Sequence, residues 1–193
     1  MSAGSLCSPF LSPDKPSPCN MPGTLDTGGR ETVRRLRKGP LGIAMATPVL
    51  FAIFGAALVG GSGLDRYAGL AKPWFLVPLW AFYLVGLAYY VLATVVLYRV
   101  LVHVDDPGGR AASFALIVGV LLLNELWNYG FFGLRSTLAG FLGIAAFLVV
   151  LTALMAALRR YERLSAGLLV PYYLWVLYDL AWTYALWRLN GSG

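Results

Sequence analysis

The stretch Leu121 to Gly133 reads LLLNELWNYGFFG, and it places Asn124, Glu125 and Asn128, with Trp127 among them, inside an apolar run that continues on both sides. A carboxyl group can accept a ligand's N–H or hold a proton, an amide can donate and accept, and an indole offers a flat apolar face with one donor. Asn124, Trp127, Asn128 and Phe131 share one face of a helix by their spacing. A second set, Trp175, Asp179 and Trp182, follows the same i, i+4, i+7 pattern. An aromatic stripe at helical spacing is normally packing. Stripes that also carry amides and a carboxyl group are different, because polar atoms in hydrocarbon need a partner or a purpose. Two uses stay open for Glu125 and Asp179: hydrogen bonding across helices or to cavity water, and an acidic subsite for a ligand donor or a proton.

Other chemistries find little support. The single histidine, His103, lies in a polar loop beside Asp105 and Asp106, which is too few ligands of the right kind for a metal site. The two cysteines, Cys7 and Cys19, stand near the N-terminus, so neither a disulfide core nor a thiolate metal site is expected. Phosphate-binding loops, nucleophile elbows and His-Glu-x-x-His helices are absent from the sequence.

The elements that must position these residues are set by hydropathy. The chain has 193 residues, 59% of them hydrophobic and 12% charged, with a mean hydropathy of +0.69. Such a composition excludes an ordinary soluble domain. Five apolar runs of about 20 residues or more, the length that crosses a bilayer, can be counted. They predict spans at about 41–62, 74–101, 111–134, 137–158 and 165–189, an all-α bundle of five transmembrane helices. Glu125 and Asp179 are the two acids within these runs. Pro48 and Pro78 are expected inside the first two spans, as kinks, and Pro171 inside the fifth. The connection from Gly60 to Pro73 is long enough to act as a lid, although Gly- and Pro-containing loops usually just end helices. The turn at Arg135-Ser136-Thr137 is so short that its two helices must be antiparallel neighbours.

Ten Lys and Arg residues flank the spans on the N-terminal side of the membrane and four on the other. The bias predicts an integral membrane protein with its N-terminus inside and its C-terminus outside, in a membrane the sequence does not specify. The net charge of +6 is largely this asymmetry, so no nucleic-acid partner is expected, and contact with membrane lipid is. Residues 1 to about 29, rich in Ser, Pro and Gly, read as disordered. The expected organisation is an extension over 1–38, ending in a basic juxtamembrane segment, and a membrane domain over 39–193.

From about Pro40 to Asn190 the chain resembles the TspO/MBR membrane proteins, the tryptophan-rich sensory or translocator proteins. The resemblance rests on KPWFLVPLWAF (72–82), LLLNELWNYGFFGLR (121–135), VPYYLW (170–175) and TYALWRLN (183–190), in that order and spacing. It implies a homodimer of five-helix bundles, each with a cavity beneath the first connection. In the family that cavity takes porphyrins, haem-related tetrapyrroles and, in some members, sterols. Carried over residue by residue, the pocket would include Trp80, Tyr90, Asn124, Trp127 and Trp175, to which the residues themselves add Glu125 and Asp179. The family's sterol motif falls on Leu180, Tyr184 and Arg188. No cofactor is required, and porphyrin or haem enters as a ligand. This chain also departs from the family pattern. Gly86 stands where many members have a cavity tryptophan that, with the one matching Trp175, is linked to light-dependent porphyrin breakdown. One proline is missing from the Trp-x-Pro-Pro sequence with which the family's second helix begins, Thr183 replaces a usual Asn, and Asp179 stands where a small residue is usual. The implied function is a tetrapyrrole sensor, scavenger or regulator. A porphyrin-degrading enzyme is the second reading, weakened by Gly86. A proton-linked transporter with Glu125 and Asp179 as a relay is the third.

Overall fold

The computed structural model describes residues 38–59 and 67–191. The expectations for residues 1–37, and for the first half of the long connection, fall outside the described residues. Among the described residues five helices are long and apolar enough to cross a membrane. They are α1 (Lys38–Val59), α2 (Leu79–His103), α3 (Pro107–Asn128), α4 (Thr137–Tyr161) and α5 (Arg163–Asn190). All five coincide with the apolar runs. A helix is the form in which such a run satisfies its own backbone hydrogen bonds where water is absent.

The helix ends are written in local chemistry. Asp106 caps α3 by accepting from the Gly109 N–H at 2.6 Å, and Pro107 occupies the first turn, where its missing donor costs nothing. Ser136 caps α4 through the Ala139 N–H, and Arg135 just before it takes the left-handed conformation that so short a turn requires. Glu162 caps α5 through Ser165 and also grips Arg99 of α2 with both oxygens, at 2.7 and 3.2 Å. The Arg99 guanidinium holds the Glu162 carboxyl at about 2, against the opposing push of burial and with help from Ser165.

The first and third helices start three and four residues before the expected positions, at Lys38 and Pro107, and the largest difference is at the second. The second span begins at Leu79 rather than near residue 74, and Pro78 is the residue before the helix, with ψ at 150°. Proline therefore starts α2 instead of kinking it. Residues 71–77 form no helix, with a single turn at Trp74 and Phe75. Pro48 and Pro171 do lie within α1 and α5.

Packing divides along the helices. Toward the α2–α3 and α4–α5 turns the core is mainly aliphatic, with Leu97, Val100, Leu151 and Leu158 essentially sealed from solvent. Toward the other end it is aromatic, built on Phe131, Trp182 and Tyr67. There α3 ends in a single π-turn, Tyr129–Gly133, whose Leu134 N–H reaches the Tyr129 carbonyl at 2.7 Å. The extra residue in that turn puts both Phe131 and Phe132 against the Trp127 indole, one stacked and one edge-on.

Candidate functional site

A cavity of about 300 Å³ opens in the aromatic half, between α2, α3 and α5. From α2 come Phe82, Gly86, Tyr89 and Tyr90, which recur every three or four residues on one face. From α3 come Asn124, Trp127 and Asn128, and from α5 Tyr172, Trp175, Asp179 and Trp182. Phe82 sits edge-on to both Trp175 and Trp182, at 5.6 and 5.3 Å between ring centres. Tyr89 and Tyr172 stack at 5.1 Å and form the floor, below which lies a void of about 20 Å³ with aliphatic walls. A Cβ added at Gly86 would meet nothing within 4 Å, so glycine there leaves room that any larger side chain would take.

The connection ahead of α2 is tied down over this end. Asn190 both accepts from the Ala71 N–H and donates to the Ala71 carbonyl, each at 2.9 Å. The Tyr178 hydroxyl accepts from the Val77 N–H at 2.9 Å and donates to the Phe75 carbonyl at 3.2 Å. Tyr67, at the start of the described part, joins the cavity wall and carries Lys72 over its ring at 5.0 Å. Burial, with Tyr178 nearby, pushes the Tyr67 phenol above its ordinary value, so it is a neutral donor at physiological pH.

The two acids turn out to occupy different places. Asp179 is on the cavity wall, about nine-tenths buried, and its Oδ1 accepts from the Trp182 indole at 2.7 Å. Glu125 is not on that wall. It is sealed at 1% exposure and accepts from the Tyr90 hydroxyl at 2.6 Å and from the amides of Asn124 and Asn128 at 3.0 and 3.3 Å. Its carboxyl group lies directly over Gly55 of α1, where even a methyl group would collide with it. Glu125 therefore ties α1, α2 and α3 together, and the picture of two acids facing one cavity gives way to one acid in the cavity and one behind it.

Of the residues singled out from sequence, Tyr90, Asn124, Trp127, Trp175 and Asp179 meet at the cavity. Trp80 does not: it is 66% exposed, one position round the helix from the inward row. Leu180, Tyr184 and Arg188 follow another face of α5, where Tyr184 packs on Phe141 of α4. The Trp127 N–H is spent on the Gly140 carbonyl of α4 at 3.0 Å, so this indole presents its ring to the cavity while its donor holds the bundle. Sequence reasoning passed over Tyr89, Tyr172, Phe82 and Gly55. The α2 residues were detectable as an i, i+3, i+4 row, whereas Gly55 has no local signal because its partner is 70 residues away.

The TspO/MBR family model matches residues 44–188. The chain is 34% identical over 125 residues to the tryptophan-rich protein TspO of Archaeoglobus fulgidus, covering 64% of this chain and 79% of that one. It is 28% identical to the human translocator protein over 78% of this chain and 89% of the other. With the tryptophan-rich sensory protein of Cereibacter sphaeroides the identity is 27%, over 65% and 77%.

Proposed function

The chain belongs to the TspO/MBR family of membrane proteins, and from that premise and the chemistry of the cavity we propose that it binds a tetrapyrrole of the porphyrin or haem type. On this reading the protein senses, sequesters or regulates the level of such a ligand, in keeping with the sensory and translocator names its relatives carry. One observation carries the proposal: ten of the sixteen cavity residues are aromatic. Flat rings at edge-on and stacked angles are suited to a flat conjugated ligand, which gains contact area and ring–ring attraction together. The cavity volume is near the lower end of small-molecule sites, ~300–1,000 Å³. A macrocycle would project its edge and its carboxylates from the mouth, on the side where Lys72 lies. Asp179, when ionised, would repel those carboxylates and would meet the pyrrole face instead. Gly86 disfavours the degradative reading, since the wall there offers space and no second indole.

The test is a titration of the purified protein with protoporphyrin, followed by tryptophan fluorescence. Trp175→Ala should weaken binding by about tenfold, the scale of one lost ring contact and its buried area. Trp127→Ala should do the same and also lower the melting temperature, because the Gly140 hydrogen bond goes with it. Trp187→Ala should leave affinity unchanged, since Trp187 stacks on Phe141 away from the cavity. Equal losses in all three would point to general destabilisation and sink the defined site.

A further inference from the structure

We propose that the cavity also takes an organic cation, a protonated amine or quaternary ammonium on an apolar body, with its charge against Asp179. This goes beyond the tetrapyrrole reading and does not rest on it. The argument begins with what the two acids are given. Glu125 accepts from three side-chain donors and has no place on the cavity wall. Asp179 is nearly as buried, yet it is on the wall, with two indole donors, Trp182 on Oδ1 and Trp175. A carboxylate offers about four lone-pair positions, so it keeps acceptor capacity for whatever enters the cavity.

The wall supplies no compensating charge. Among the described residues that line the cavity there is no Lys, Arg or His. A buried carboxylate whose partner is missing is costly, so a ligand that brings the positive charge gains what the protein itself leaves unpaired. The rest of the surroundings favour the same ligand. Phe82, Tyr172, Trp175 and Trp182 surround the acid on the wall, and the faces of such rings attract cations, indole most strongly. One carboxylate among several aromatic rings is the combination that recognises ammonium groups. It penalises an anion by repulsion and a neutral isostere by leaving the acid unmatched.

The experiment uses the full chain in phosphatidylcholine nanodiscs, with empty nanodiscs as the blank. Two probes of the same shape are titrated by tryptophan fluorescence: benzyltrimethylammonium and its uncharged analogue neopentylbenzene. The wild type should bind the cation about tenfold more tightly than the neutral probe, the scale of a cation–ring and carboxylate contact shielded from water. Asp179→Asn, which keeps the size of the side chain, should erase that preference by weakening the cation and sparing the neutral probe the cost of an unmatched acid, so that the two affinities converge. Should that variant fail to fold, the wild-type comparison still decides. Equal affinities in the wild type, no saturable binding of the cation, or a preference that survives in Asp179→Asn would each overturn the proposal.

Discussion

The two halves of the bundle use the same helices to opposite ends. Toward the α2–α3 and α4–α5 turns, aliphatic side chains close on one another and leave a void of about 20 Å³; beyond the Tyr89–Tyr172 floor, aromatic ones frame a cavity of about 300 Å³. Branched and flexible aliphatic chains fill irregular space. Rigid rings held edge-on by one another, with a glycine at position 86, leave it open. Polar groups divide the same way. The closed half spends its charges at its edge, in the Arg99–Glu162 pair, while the open half sets Asp179 on its wall. Stability and binding should therefore be separable by position.

The strongest test is in the closed half. Leu97 is fully buried, and Leu97→Ala should cost about 2–5 kcal/mol as lost transfer energy plus cavity. Thermal melts would register that loss, while ligand affinity of the folded fraction should not change. A parallel fall in affinity would break the division between the halves. Next comes Gly55→Ala, at the seam. The added methyl group would push the Glu125 carboxyl off its donors, at about 1–3 kcal/mol for buried groups left unsatisfied. Stability equal to the wild type would show that Glu125 has another seat.

Gly86→Trp should act on the open half alone. The new side chain has space to enter, so melting temperature should hold while porphyrin affinity falls by about tenfold, or 1.4 kcal/mol. Tighter binding would mean that the added indole serves as a wall and the cavity extends elsewhere. The smallest effect belongs to the edge of the closed half. The Glu162 carboxyl is held at about 2, below its ordinary value of 4.5. A depressed carboxyl contributes stability above its unfolded value and loses it as pH falls through the folded one. The contribution of Glu162 to the melting temperature should thus be full and independent of pH above about pH 5 and be lost between 4.5 and 2, a decline that Glu162→Gln removes. Arg99 and Glu162 are partly solvated, so the change will be slight.

How much of this was legible depends on the distance over which each feature is decided. Caps and turns are local: Asp106, Ser136 and Arg135 act within three residues, and the antiparallel α3–α4 pair follows from its short turn. The start of α2 was misjudged because residues 74–77 are as apolar as the helix they precede, and hydropathy does not distinguish extended backbone from helix. Trp80 and Glu125 went astray by helical rotation. A step of one residue turns a side chain by roughly 100°, enough to move Glu125 from the wall that Asn124 and Asn128 share to the seat on Gly55. Trp80 was carried over from the family pattern and Glu125 was added as an acid inside a span, and neither ground fixes the face on which a residue lies.

The sequence by itself determined that there are five membrane-length helices, since an apolar run in hydrocarbon has to bond its own backbone. It also determined the family, because Asn-x-x-Trp, Phe-Phe-Gly, Pro-Tyr-x-x-Trp and Trp-Arg-Leu-Asn keep their order and spacing. Only the tertiary structure decided which acid meets the cavity, where the tyrosine floor lies and that Gly55 makes room for a carboxyl group. These depend on how one helix is rotated against another. That rotation is set by the joint packing of side chains far apart in the chain, such as Tyr89 with Tyr172 and Tyr90 with Glu125, and no local run of residues contains it.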